Sequence, residues 1–184
     1  MQKLKLSYDL NIVPLCMDKF SYLNRYQVPN LYKIVVNRGF DYTCQNSKVL
    51  DLLLNELTVI TGQKACIRYS SKAISTFKIR EGSPVGVIVT LRSIRMYSFL
   101  DRLINLVIPR IRDFQGLSLK GFDSFGNYTF SIVGLEAFPE INLDKKAGKS
   151  GIDVTLCVNK KGEKCTIEES KFLLSSLGLP FIRL

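Results

Sequence analysis

Histidine is absent from this 184-residue chain, and alanine is confined to Ala65, Ala73, Ala137 and Ala147. With no imidazole, the commonest general base and nucleophile activator is missing. A Ser or Cys nucleophile would need Lys or a carboxylate instead, and no local signature supplies one. The five cysteines, Cys16, Cys44, Cys66, Cys157 and Cys165, are odd in number, and none forms a C-x-x-C pair. A zinc site would have to draw a Cys-only or Cys/carboxylate set from distant segments, so the simpler reading is reduced thiols in a reducing compartment. No apolar run approaches the ~18 residues that cross a bilayer, which argues against a membrane span. Met1 to Lys5 leads into polar and acidic residues, not the apolar core of a signal peptide, and lacks the Arg-rich bias of a transit peptide. No phosphate-binding glycine loop, dinucleotide fingerprint, internal repeat or low-complexity tract occurs, so no cofactor is expected.

Negative charge is also scarce where positive charge is dense. Residues 62–112 hold ten basic residues and only Glu81 and Asp101 as acids, a balance of +8 out of the chain's +10. Charge confined to one segment points at a polyanion, most commonly a nucleic-acid backbone.

At this length and 46% apolar content, one domain spanning residues 1–184 is expected. Residues 1–26 read as an N-terminal helical segment, kinked or split by Pro14. Residues 27–184 read as a sheet-and-helix body. Strands are expected at Leu31–Asn37, Lys64–Tyr69, Val85–Leu91 and Ile152–Val158, and further strands or extended pieces at Tyr128–Val133 and near Glu136–Leu143. Helices are expected at Lys48–Ile60, capped by Asn46 or Ser47 and stopped by Gly62, and from a Ser93 cap to Pro109. A closing helix opens on the capping box Thr166-Ile167-Glu168-Glu169 and ends at Gly178. The fold class is α+β: one mixed sheet, helices packed mainly on one face, and a long basic loop at about residues 70–84.

Three segments could carry binding chemistry. In the long loop, Lys72, Lys78 and Arg80 can pair with phosphates, and Phe77 can stack on a base. The alternative there is a solvated loop whose Phe77 folds back on the sheet. At Thr90-Leu91-Arg92-Ser93-Ile94-Arg95 a strand hands over to a helix, with Arg92 and Arg95 flanking its first amides. Asn37 and Gln63 fall at strand ends near Thr90, and these neutral groups suit bases, sugars or phosphates, or ordinary turn satisfaction. Arg110 and Arg112 alternate with apolar residues up to Phe114-Gln115-Gly116, as on an extended segment with one charged face, or a solvated edge.

A series of short motifs runs in one order through the chain: Gln27-Val28-Pro29, Ile60-Thr61-Gly62-Gln63-Lys64, Phe77-Lys78-Ile79-Arg80-Glu81-Gly82, Val89-Thr90-Leu91-Arg92, Arg95-Met96-Tyr97, Ile108 to Phe114, Gly126-Asn127-Tyr128, Phe138-Pro139-Glu140-Ile141 and Gly178-Leu179-Pro180-Phe181. Together they resemble bacterial-type large-subunit ribosomal protein five over nearly the whole chain. The resemblance implies a structural protein and not an enzyme. It implies that Asn37, Gln63, Lys64, Thr90, Arg92 and Arg95 bind 5S rRNA and help anchor it to 23S rRNA in the central protuberance, beside neighbouring 5S-binding proteins. It further implies that Lys72, Phe77, Lys78 and Arg80 contact P-site tRNA. Arg110, Arg112, Gln115 and the Phe138–Lys145 region would approach a small-subunit head protein across an intersubunit bridge.

Some positions depart from the family pattern. Gln115 stands where Arg is usual, Ser93-Ile94 replaces a Gly-Glu pair, and Ser75-Thr76 replaces an Ala-Gly step, which makes the tRNA loop stiffer. Scarce alanine with abundant Ile, Lys, Asn and Phe indicates an A/T-rich genome, and the expected location is the plastid stroma, ahead of a mitochondrion or a bacterial cytoplasm. A free RNA chaperone or regulator would use the same surface. A nuclease would need the histidines or clustered carboxylates that the chain lacks.

Overall fold

A computed structural model describes residues 3–39, 47–141, 151–161 and 164–182. In chain order its elements are α1 (Lys3–Ser7), a π-helical turn (Tyr8–Ile12), α2 (Val13–Phe20), β1 (Asn30–Gly39), α3 (Ser47–Thr61), β2 (Cys66–Tyr69) and β3 (Pro84–Leu91). There follow α4 (Ser93–Arg102), a second π-helical turn (Leu103–Val107), β4 (Tyr128–Ile132), β5 (Ile152–Asn159) and α5 (Ile167–Ser176). The five strands form one sheet in the order β2-β3-β1-β5-β4, with β2 antiparallel to β3. The α+β class read from the sequence is the class observed.

The π-helical turns explain how two helical segments accommodate proline. Pro14 and Pro109 have no N–H, and in a regular helix each ring collides with the carbonyl four residues back. Here Val13 N–H reaches back five residues to Tyr8 O, and Ile108 N–H does the same to Leu103 O. The widened turn makes room for the ring, so Pro14 is absorbed by a local bulge. A single 3₁₀ turn, Ile108–Arg110, then ends the α4 segment.

The chain divides into two compact units. One comprises residues 35–91 and 131–154, the other residues 1–34, 92–130 and 155–184. In the first, α3 packs on β3, and Leu53, Leu57 and Ile60 are buried along with Val87, Val89 and Leu91. Strand alternation is plain. Val36 and Arg38 in β1 are buried while Val35 and Asn37 are half-open, and in β3 Ile88 and Thr90 are half-open between buried neighbours. β1 and β3 therefore each have a core side and an open side, the pattern of strands solvated on one face.

The buried Arg38 forms an ion pair with Glu56 of α3. Gly86 lies across from this point: a Cβ there would come 3.1 Å from Arg38 O and 3.7 Å from Asn37 Oδ1. Glycine thus lets β3 approach β1 beside Asn37.

In the second unit α1 packs on α4 and α2 on α5. The capping box is formed: Thr166 Oγ1 accepts from Glu169 N–H at 3.3 Å, and Glu169 Oε2 accepts from Thr166 N–H at 2.8 Å. Burial opposes the Glu169 charge. The Tyr22 hydroxyl, the Thr166 N–H and Lys160 Nζ at 2.9 Å outweigh it and hold the carboxyl down at about 2. Burial pushes the Cys16 thiol up to about 11 and raises Cys157 and Cys165 as well, and the four described cysteines are free thiols.

Several expected elements differ. No strand forms at Glu136–Leu143 among the described residues. Leu135–Ala137 is a 3₁₀ turn, and Phe138 and Ile141 are buried as core anchors instead of alternating. Residues 142–150 and the Asn46 position offered as a cap lie outside the described residues. The Arg110–Leu117 segment is not extended, because Asp113 (φ +51°) and Gly116 (φ +114°) turn it twice. No described helix is long and apolar enough to cross a membrane.

Candidate nucleic-acid interface

The turn after α3 positions Gln63. Gly62 takes φ +68° and donates to Thr58 O at 2.9 Å, ending the helix as a C-terminal glycine does. The buried Thr61 hydroxyl donates to Leu57 O at 2.7 Å and accepts from Gln63 N–H at 3.4 Å. Gln63 is then held against β3: its Nε2 donates to Thr90 O at 3.1 Å. The structure thus brings Gln63 and Thr90 together. Asn37 lies on β1, the strand next to β3, at the same kind of half-open position as Thr90.

The Asn37 amide and the Thr90 hydroxyl make no hydrogen bond to any described residue, and neither is fully buried. Two polar groups are therefore held by strand geometry with their hydrogen-bonding capacity unspent. Lys64 is exposed beside Gln63.

In the second unit Arg92 and Arg95 are exposed around the start of α4. Arg92 is extended and flanks the helix, and Ser93 does not cap it: no side-chain cap bond forms, and Ser93 sits at φ +52°. A left-handed residue joins the extended Arg92 to the helix, so the serine hydroxyl is not carried to the capping position. A side chain at this left-handed φ is strained.

Residues 70–83, expected as an irregular loop, form a pinned arm. Ser70 N–H donates to Ser83 O and Gly82 N–H to Ser70 O, both at 2.9 Å, closing its base. Further out, Ile74 and Ile79 exchange backbone hydrogen bonds at 2.9 and 3.1 Å, and Lys78 N–H donates to Ser75 O at 3.0 Å across the tip. Lys78 takes φ +53° at that turn. Lys72, Lys78 and Arg80 are exposed, as is Phe77 at 65%, so Phe77 does not fold back. The hairpin escaped the sequence reading because its left-handed turn position holds lysine where glycine or asparagine is the usual signal.

Arg110, Arg112 and Gln115 are exposed on the twisted segment after α4. That segment is anchored at its far end: Leu117 N–H donates to Pro180 O at 2.8 Å and Ile182 N–H to Leu117 O at 3.1 Å. In the Phe138–Lys145 region Pro139 is exposed and Glu140 half-buried, while Phe138 and Ile141 are buried.

Sequence reasoning missed Tyr32. It is half-exposed on β1, and the Arg92 guanidinium carbon lies 4.4 Å above its ring centre. Its only signal was an aromatic at an open strand position.

Among the described residues no group of three or more Cys, Asp or Glu side chains could hold a metal ion. Fold and site together define an α+β protein that carries exposed positive charge on an arm and around strand ends. A family model for ribosomal protein L5 matches residues 24–80, and a second, for the C-terminus of the same ribosomal family, matches residues 84–181. The large ribosomal subunit protein uL5c of Euglena gracilis is 51% identical over 181 residues, covering 98% of this chain and 99% of that protein. That of Stigeoclonium helveticum is 51% identical and uL5 of Synechocystis sp. 50% identical, each over 180 residues and 98% of both chains. The chain belongs to the ribosomal protein L5 family, a structural family without enzymatic activity.

Proposed function

We propose that this chain binds 5S rRNA in the large ribosomal subunit through Asn37, Gln63, Lys64, Thr90, Arg92 and Arg95, and helps anchor it to 23S rRNA in the central protuberance. The observation that carries this reading is the pair of unspent polar groups, Asn37 and Thr90, on neighbouring strands, with Gln63 hydrogen-bonded to Thr90 beside them. Such groups read nucleotide edges and sugars, while Lys64, Arg92 and Arg95 supply the salt-dependent phosphate attraction. The arm, with Lys72, Lys78 and Arg80 around an exposed Phe77, suits the backbone and bases of P-site tRNA. Arg110, Arg112 and Gln115 form the candidate contact to a small-subunit head protein. Relatives in chloroplasts and cyanobacteria support a plastid ribosome as the location.

The decisive measurement is filter binding to 5S rRNA across a salt series. Asn37→Ala with Thr90→Ala should weaken binding without altering the melting temperature, and unchanged affinity would remove this site. Sedimentation of native extract separates a ribosomal constituent from a free RNA chaperone, since only the former co-migrates with large subunits.

A further inference from the structure

Tyr32 and Arg92 form a contact with no evident structural task. Tyr32 is 50% exposed, and Arg92 is exposed and ion-paired to no described residue. The guanidinium carbon stands 4.4 Å from the ring centroid, well inside cation–π range. An unpaired arginine on an open surface usually keeps its side-chain freedom. Here the guanidinium carbon is held over the phenol ring while Arg92 stays exposed, which restrains the side chain and leaves its N–H groups to solvent. The positive potential around the pair is reinforced: Lys33 and Arg92 both act on the half-buried Cys157 thiol, which burial raises and these two cations pull back, while Asp123 is the nearby acid. Arg92 directly follows β3, two residues after Thr90.

We infer that the Tyr32–Arg92 pair is a nucleobase platform, on which an unpaired base from a loop or bulge of the bound RNA stacks. The inference rests on the RNA-binding reading above and adds to it a class of contact, stacking, that the amides and hydroxyl cannot make. A preformed cation–π pair suits this role because every base has a π face, and ordering the arginine beforehand lowers the cost of binding.

The test uses the full-length protein and 5S rRNA. Tyr32→Ala should lower affinity roughly tenfold without changing the slope of log affinity against log salt, because no charge is lost. Tyr32→Phe should bind within about twofold of wild type, since the ring is kept. Arg92→Ala should lose affinity and also reduce the slope by about 0.7 to 0.9. The chain has no tryptophan, so Tyr32→Trp provides a single reporter whose emission should be quenched when RNA is added. Wild-type affinity in Tyr32→Ala, or unquenched emission from a bound Tyr32→Trp, overturns the platform while leaving the 5S assignment standing. Loss of binding in Tyr32→Phe equal to that in Tyr32→Ala overturns it too, by making the hydroxyl and not the ring responsible. Wild-type protein that fails to bind 5S rRNA removes the functional reading and the platform together.

Discussion

The Asn37–Gln63–Thr90 patch and the 70–83 arm belong to one compact unit, yet they are built in opposite ways. Patch residues sit on or beside strands whose alternate side chains are core, with a buried Arg38–Glu56 pair beneath Asn37's strand. Their functional groups are neutral and few. Arm residues are exposed almost throughout, and the arm holds its shape by a few backbone hydrogen bonds among its own members. Its functional groups are charged or aromatic. A surface built on packed strands can fix single atoms for recognition, whereas an arm supplies reach and charge and tolerates small displacements.

The largest way to break this contrast is to remove what lies under the patch. Arg38→Ala should cost about 3–5 kcal/mol in urea denaturation, because it leaves a largely buried Glu56 without its cation. It should also lower 5S affinity. Stability near wild type would mean that the patch is not held by its core.

Acid probes stability that belongs to neither region. The Glu169 carboxyl is depressed from an ordinary value near 4.5 to about 2. Its contribution is therefore complete above pH 4.5 and is lost as pH falls through about 2, on the order of 3 kcal/mol in all. Glu169→Gln keeps the capping-box geometry and should flatten that acid limb in pH-dependent melts. An unchanged limb would locate the acid sensitivity elsewhere.

The binding contrast comes next. Asn37→Ala with Thr90→Ala should reduce 5S affinity roughly ten- to a hundredfold with an unchanged salt slope, since each lost hydrogen bond is worth about 1 kcal/mol and no charge is removed. Lys72→Ala, Lys78→Ala and Arg80→Ala together should leave 5S affinity within about twofold and stability within about 0.5 kcal/mol. A large 5S defect in this triple variant would merge the two regions into one site.

The smallest effect sharpens the account of the strand-to-helix junction. Ser93→Gly should stabilise the chain by about 0.5–1 kcal/mol, because glycine relieves the left-handed strain at some entropic cost. A neutral or destabilising result would show that Ser93 makes a compensating contact.

Much of this was legible in the residues themselves. Alternation and β-branched runs located the strands of the sheet within a few residues, the leucine stripe gave α3, and Thr166-x-x-Glu169 gave the start of α5. The misses have physical causes. Pro14 marks a kink or split from sequence, but the widened turn at Tyr8–Ile12 that makes room for its ring leaves no compositional mark. The arm lacks both alternation and a glycine at its tip. Phe138 and Ile141 are core residues in a segment that forms no strand among the described residues.

The sequence by itself determined most of the strands and helices, the concentration of charge in residues 62–112 and the family, because these depend on local periodicity, charge and motif order. Only the tertiary structure decided that Gln63 meets Thr90 across 27 positions, that Arg38 is buried against Glu56, and that Arg92 lies on Tyr32. Those pairings depend on which strands become neighbours, and residues far apart in sequence carry no local signal of the partner that packing gives them.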